Sequence, residues 1–105
     1  MKNHHNFGLP EELLQQILSI FEKYPEIQKA SLFGSRASNK YRKNSDIDIV
    51  IYAPNLDLST YLLILSELNQ TNTLLNIDLI HYERIKNAKL KEDIQKNSVQ
   101  IYSKA

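Results

Sequence analysis

The chain has 105 residues and contains no cysteine, which excludes disulfides, thiol catalysis and cysteine-based metal sites. Its 42% hydrophobic content is typical of one globular domain over residues 1–105, and a net charge of +1 predicts no stable nucleic-acid binding. No apolar run reaches the ~18 residues of a membrane span and the polar N-terminus lacks a signal-peptide core, so we expect a cytoplasmic protein without membrane contact.

The predicted elements alternate between helix and strand. Pro10 suits the first turn of a helix, and apolar residues recur at helical spacing up to Tyr24, before Pro25 ends the pattern. Residues 27–33 predict a strand that stops at Gly34. After a polar, basic loop come strand, helix, strand, helix and strand, at residues 46–52, 58–68, 74–80, about 87–97 and 99–102. This order predicts an α+β (mixed α/β) fold class, a small mixed β-sheet with flanking helices.

Two aspartates, Asp46 and Asp48, stand in the second predicted strand. Side chains alternate between the two faces of a strand, so both carboxylates point to one face, with Cα atoms ~7 Å apart. Paired carboxylates repel each other unless a cation lies between them. Hard oxygen ligands of this kind suit Mg²⁺, which proteins hold through one or two carboxylates together with substrate phosphates.

A third aspartate, Asp78, lies in the strand predicted over residues 74–80, on the face opposite its apolar residues. If this strand pairs beside the second one, the three carboxylates converge. Two metal ions ~3.5–4 Å apart could then lie among them and stabilise an in-line displacement. His81 follows this strand, and we expect it in a surface or capping role.

The turn after the first strand has the composition of a phosphate-binding loop. Gly34 lets backbone N–H groups approach an anion closely, and Ser35 adds a hydroxyl donor. Positive charge follows at Arg36, Lys40, Arg42 and Lys43. A phosphate cradle beside a carboxylate metal site is the apparatus for phosphoryl or nucleotidyl transfer, in which catalysis comes from positioning and charge neutralisation.

These motifs resemble those of the nucleotidyltransferase superfamily related to DNA polymerase beta. Its signature is Gly-Ser followed by Ser-Asp-x-Asp, with a third carboxylate on a later strand. Gly34-Ser35, Ser45-Asp46-Ile47-Asp48 and Asp78 match that signature in order and spacing. The short chain is most similar to the minimal nucleotidyltransferases (MNT), antitoxins paired with a small helical HEPN toxin. Asn39 stands where members often have glycine, and asparagine tolerates the left-handed backbone that glycine would supply.

The resemblance implies a polymerase beta-like fold and a role for each matched residue. Asp46 and Asp48 would hold two Mg²⁺ ions, and Asp78 would assist the metal that activates the acceptor hydroxyl. Gly34 and Ser35 would bind the phosphates of ATP, and we group Arg36 with them as nucleotide-binding. The implied reaction transfers a nucleoside monophosphate, AMP from ATP, to a hydroxyl of the HEPN partner.

Two other functions remain open from the sequence. The chain could neutralise its partner by contact with little or no catalysis, using apolar surface of the first helix or of residues 58–68, with Tyr61 and Tyr82. Nucleotidyl transfer to RNA or a small molecule is the third possibility, although the one obvious basic cluster is formed by Lys40, Arg42 and Lys43.

Overall fold

The computed structural model describes residues 7–42, 44–71 and 73–104, so Lys43 of the basic cluster lies outside the described residues. Within them the elements follow the predicted order. They are α1 (Glu11–Glu22), β1 (Lys29–Phe33), β2 (Ile47–Tyr52), α2 (Leu58–Asn69), β3 (Ile77–His81), α3 (Ala88–Asn97) and β4 (Val99–Ser103), with a short 3₁₀ turn at Tyr82–Arg84. The strand predicted over residues 74–80 starts late because its pairing begins at Ile77, opposite Ile47.

The four strands form one mixed sheet in the order β3-β2-β1-β4. β1 lies antiparallel to both β2 and β4, whereas β2 and β3 run parallel. The parallel pair requires a crossover connection, which α2 supplies between the two strands. The predicted α+β class with a small mixed sheet is therefore confirmed.

The core lies between one face of the sheet and the helices α1 and α2. Alternation along β2 sends Ile47, Ile49 and Ile51 to this face, where all three are fully buried. From the helices, Phe21 and Ile64 belong to the same apolar cluster. Because these odd-numbered positions build the core, the even-numbered positions of β2 and β3 face the other side of the sheet.

Asp57 and Asn87 supply capping side chains for α2 and α3, whereas α1 begins without a side-chain cap. Pro10 precedes α1, which ends at Glu22 shortly before Pro25. The Asp57 carboxylate accepts a hydrogen bond from the Thr60 backbone N–H at 2.8 Å and begins α2. None of the helices in residues 7–42, 44–71 and 73–104 has the length and apolar composition needed to cross a bilayer.

Candidate active site

Two of the three predicted carboxylates come together on the face of the sheet opposite α1 and α2. Asp48 of β2 and Asp78 of β3 are direct register partners across the parallel strand pair. Neighbouring strands lie ~4.8 Å apart, so side chains at such positions stand beside each other on one face. Asp48 is half-buried and Asp78 is exposed. This pairing brings together two of the three carboxylates that the sequence pattern predicted to converge.

The electrostatics of Asp48 reflect its crowded position. Burial raises the pKa of the Asp48 carboxyl above its ordinary value, and the charge of Asp78, a hydrogen bond with Asp78 and the charge of Asp46 raise it further. Ionisation of Asp48 is therefore less favourable than that of a free aspartate. A bound cation would oppose this effect.

Asp46 lies immediately before β2 rather than inside it, and its side chain is exposed. The strand begins where the Ile47 N–H donates to the Asn76 carbonyl at 2.9 Å. Just upstream, the Ser45 N–H donates to the Arg42 carbonyl at 3.0 Å and the Ser45 hydroxyl accepts from the Arg42 N–H at 2.7 Å. A closed turn therefore delivers Asp46 to the edge of the carboxylate pair.

Gly34 brings the turn after β1 against the same carboxylates. Its φ of +77° lies in the left-handed region that favours glycine. A Cβ placed on Gly34 would stand 2.7 Å from Oδ2 of Asp48, closer than real Cβ contacts allow. The backbone of the predicted phosphate loop and the predicted metal ligand are thus in direct proximity, and only glycine fits between them.

The loop that follows Gly34 is one helical turn closed by asparagine. The Ser38 N–H donates to the Gly34 carbonyl at 3.1 Å and the Lys40 N–H to the Ser35 carbonyl at 2.9 Å. Asn39 has a φ of +65° and donates its N–H to the Arg36 carbonyl at 3.4 Å, which completes a Schellman-type ending. The prediction that asparagine adopts the left-handed backbone here is confirmed.

Arg36 points into the protein beneath this loop. Only 1% of its surface is exposed, and its guanidinium donates from Nη2 (3.0 Å) and Nε (3.3 Å) to the Ser45 carbonyl and from Nη1 (2.9 Å) to the Phe7 carbonyl. It also lies 5.0 Å from the Tyr41 ring centroid. Sequence reasoning missed these contacts, because no spacing pattern relates residues 7, 36 and 45. The nucleotide-binding role of Arg36 stays a prediction.

Of the surface or capping role expected for His81, the surface part is wrong, and at the N-cap position of the 3₁₀ turn its side chain makes no capping hydrogen bond. His81 belongs to β3, on the helix-facing side opposite to Asp78, and is 7% exposed. Its Nε2 lies 2.8 Å from the Ala53 carbonyl, and its ring stacks on that of Tyr61, whose hydroxyl donates to the Leu79 carbonyl at 2.6 Å. The odd-numbered register of β3 places both His81 and its contacts in packing rather than in the carboxylate site.

The carboxylate face fits a magnesium ion in its chemistry. Within the described parts of the chain, no three histidine, aspartate or glutamate side chains are arranged as a formed metal site. Asp48 and Asp78 nevertheless offer paired hard-oxygen donors, and burial together with the charge of Asp78 raises the pKa of Asp48, an effect that a bound cation would oppose. Mg²⁺ is commonly held by one or two carboxylates with phosphate oxygens completing its shell. The residues present therefore suit Mg²⁺ bound together with a phosphate substrate.

A family comparison agrees with this architecture. Residues 15–105 match the family model described as polymerase beta, nucleotidyltransferase. The chain therefore belongs to the polymerase beta nucleotidyltransferase family. No curated protein shows significant similarity to the chain over its sequence.

Several solved structures share the fold. One is a toxin–antitoxin crystal structure with AMP-PNP, at 24% identity and a TM-score of 0.70, covering 91% of this chain and 75% of that chain. The toxin–antitoxin MntA-HepT matches at 21% identity and a TM-score of 0.68, covering 90% and 74%. A complex of tri-AMPylated Shewanella oneidensis HEPN toxin with MNT antitoxin matches at 20% identity and 0.67, covering 90% and 72%. At these identities the similarity shows the fold.

Proposed function

We propose that the chain is a Mg²⁺-dependent nucleotidyltransferase that moves AMP from ATP to a hydroxyl of a partner protein in the cytoplasm. The partner is a helical HEPN toxin, and the chain acts as its MNT-type antitoxin. The observation that supports this most strongly is the approach of Gly34 to Asp48, which is itself paired with Asp78. A phosphate loop and a carboxylate pair in contact, within a chain of this family, are what nucleotidyl transfer needs.

The proposed site has one group of residues for Mg²⁺ and another for the phosphates of ATP. Asp46, Asp48 and Asp78 are the proposed catalytic and metal-binding carboxylates, and two Mg²⁺ ions bound there would neutralise charge on the triphosphate and the acceptor oxygen. Gly34 and Ser35 orient the phosphates, with Arg36 behind them. The acceptor oxygen forms a bond to the α-phosphorus, the bond to pyrophosphate breaks, and the hydroxyl proton passes to solvent or a nearby carboxylate. Pyrophosphate is the leaving group.

A protein acceptor is favoured by the exposure of the site and by the similar structures. Asp46 and Asp78 are exposed, so a docked protein can reach them. Two structures of the same fold are named toxin–antitoxin complexes, and a third contains a tri-AMPylated HEPN toxin. By analogy, the acceptor of this chain is a docked helical protein.

The direct test is to isolate the chain with its bound partner from its native cells, add ATP and Mg²⁺, and measure intact masses of every protein present. The proposal expects a partner that gains the mass of one or more AMP units, and no gain with Asp46→Asn. Asp93→Asn, an exposed aspartate on α3, is the matched control and should transfer as wild type does. A partner whose mass does not change would contradict the catalytic proposal.

A second candidate function rests on exposed leucines of α2. Leu58, Leu62 and Leu63 are 53%, 52% and 56% exposed, on a helix whose buried residues are Ile64 and Leu68. Large apolar side chains exposed close together on one helix are typical of a surface that a partner covers. This surface favours an antitoxin that neutralises its partner by contact alone, in which case Asp46→Asn would protect as well as wild type.

A further inference from the structure

We propose that Arg36 is a positioning residue that fixes the phosphate loop relative to Asp46, instead of a direct ligand of the nucleotide phosphates. This inference rests on the proposed function and deepens it at the same site. It concerns how two separate loops, one following β1 and one preceding β2, are held in a single geometry before substrate binds.

The first step is the atom that Arg36 binds. Nη2 and Nε both donate to the Ser45 carbonyl, at 3.0 and 3.3 Å. That carbonyl belongs to the peptide unit joining Ser45 to Asp46, so the two bonds set the plane from which Asp46 emerges. Paired donation from a planar guanidinium fixes direction as well as distance.

The second step is where Arg36 itself stands. It is two residues after Gly34, inside the helical turn whose carbonyls at Gly34 and Ser35 accept from Ser38 and Lys40. Because Arg36 belongs to this turn, the hydrogen bonds of its guanidinium restrain the position of the turn. Through this one side chain, the loop that meets Asp48 at Gly34 is connected to the backbone of Asp46.

The third step is the hydrogen bond that Arg36 makes to the segment before α1. Nη1 donates to the carbonyl of Phe7, which lies ahead of the residues matched by the family model. Phe7 and Gly8 have φ values of +57° and +74°, and a Cβ on Gly8 would stand 2.3 Å from the Tyr41 ring. Left-handed backbone at a bulky residue persists only where its surroundings hold it. The N-terminal segment is thus closed onto the guanidinium.

The alternative is direct phosphate binding by Arg36. A phosphate ligand on a loop presents its donors to the substrate side, whereas Arg36 is 1% exposed and directs all three of its nitrogens to backbone carbonyls. Burial also lowers the pKa of the Arg36 guanidinium from its usual value, although it stays charged. The charged guanidinium is therefore used to bind backbone carbonyls on the buried side of the loop.

Arginine side-chain NMR tests this placement in the wild-type protein without any activity. The chain has three arginines, Arg36, Arg42 and Arg84, so ¹⁵N-arginine labelling gives three Nε–H signals, of which Arg42→Lys and Arg84→Lys assign two and leave the third to Arg36. The Arg36 signal should be protected from solvent exchange in the free protein and stay protected, with little shift, when AMP-PNP and Mg²⁺ are added. A signal that exchanges rapidly in the free protein and becomes protected only with nucleotide would overturn the proposal.

Kinetics of Arg36→Lys supply the second readout, since lysine keeps the charge but cannot donate to two carbonyls in one plane. Misplacement of reacting groups by ~1 Å costs on the order of 100-fold in rate, so kcat should fall by about that factor. AMP-PNP affinity should change by less than about threefold, because the Gly34 and Ser35 donors remain. Loss of a direct phosphate contact would instead weaken AMP-PNP binding by about tenfold or more and leave kcat largely intact at saturation.

The control is Arg84→Lys, an exposed arginine beyond β3, which should match wild type in both measurements. If the wild type transfers no AMP, the proposed function fails, while the NMR and binding measurements still decide where Arg36 acts. If Arg36→Lys does not fold, the exchange behaviour of the wild-type signal decides alone.

Discussion

Gly34 is the residue at which backbone conformation and site chemistry coincide. Its φ of +77° favours glycine, and a methyl carbon at this position would stand 2.7 Å from Oδ2 of Asp48, so a side chain here would force the loop or the carboxylate to move. The glycine could be recognised from the sequence because a Gly-Ser pair follows a strand. Its contact with Asp48 could not, because that contact depends on the antiparallel register of Phe33 with Asp48.

Gly34→Ala should remove nucleotidyl transfer and destabilise the fold by about 1–2 kcal/mol, because the methyl group meets the carboxylate and the left-handed backbone is strained. Thermal unfolding and the transfer assay measure the two effects. Asn39→Ala is the matched control, since it strains the other left-handed position of the loop at a φ of +65° without placing a methyl group on Asp48. Equal losses of transfer in both variants would contradict a specific role for the Gly34–Asp48 approach.

Asp48→Asn should raise the melting temperature of the metal-free protein by a few degrees at pH 7 while abolishing transfer. The folded-state pKa of Asp48 is raised by burial, Asp78 and Asp46, so its stabilising contribution is present below its ordinary pKa and is lost as pH rises through the folded value. The asparagine side chain of the variant does not ionise, so its stability is not lost as pH rises. Melting curves in EDTA at pH 7 and pH 4 check it, and a variant that is less stable than wild type at pH 7 would contradict the account.

At the scale of elements, a polar cluster connects the two residues that follow α1 to Glu67 of α2. The Tyr24 hydroxyl and the Lys23 ammonium both donate to the Glu67 carboxylate. The hydrogen bond to Glu67 raises the pKa of Tyr24 from 10.0 to about 12, with burial adding to it. The hydrogen bond from Lys23, followed by that from Tyr24, lowers the pKa of Glu67. This cluster connects the end of α1 to α2.

Tyr24→Phe should cost about 1 kcal/mol of unfolding free energy at pH 8, the contribution of one hydrogen bond. Because the folded-state pKa of Tyr24 is raised from 10.0 to about 12, its contribution is complete below pH 10 and is lost as pH rises towards 12. Burial also raises the pKa of Tyr52 and Tyr61, so urea unfolding between pH 8 and pH 12 should show an alkaline loss of stability that is smaller in Tyr24→Phe than in wild type but not absent. Glu67→Gln should show the same reduced loss, and an unchanged alkaline loss in either variant would refute the linkage.

The elements themselves were predictable because hydrophobic periodicity specifies them locally, as with the β-branched run of β2 and the helical spacing of α1. Long-range pairing was not. The strand predicted over residues 74–80 begins at Ile77, because the first residue of β2, Ile47, pairs with Ile77. The pairing of Asp48 with Asp78 and the burial of Arg36 depend on a helical crossover and on carbonyls from distant segments, which leave no periodic signal in the sequence.

In the whole molecule, the sheet separates the carboxylate surface from the exposed leucines of α2. The carboxylates face away from α1 and α2, whereas the exposed leucines lie on α2. Leu62→Glu should weaken the complex with the proposed partner at least tenfold while changing the stability of the free chain by less than about 0.5 kcal/mol. Leu74→Glu, at a fully exposed leucine before β3, is the control, and calorimetric titration measures both. Equal affinities for the two variants would exclude α2 from the interface.

The measurement that tests the central claim most directly compares ATP labelled at the α-phosphorus with ATP labelled at the γ-phosphorus, each incubated with Mg²⁺, the chain and its co-purified partner. Nucleotidyl transfer predicts that the α-label becomes bound to the partner while the γ-label leaves as pyrophosphate, and that Asp48→Asn abolishes the incorporation. Incorporation of the γ-label, or equal α-labelling by wild type and Asp48→Asn, would contradict a nucleotidyltransferase site built on Gly34, Asp48 and Asp78.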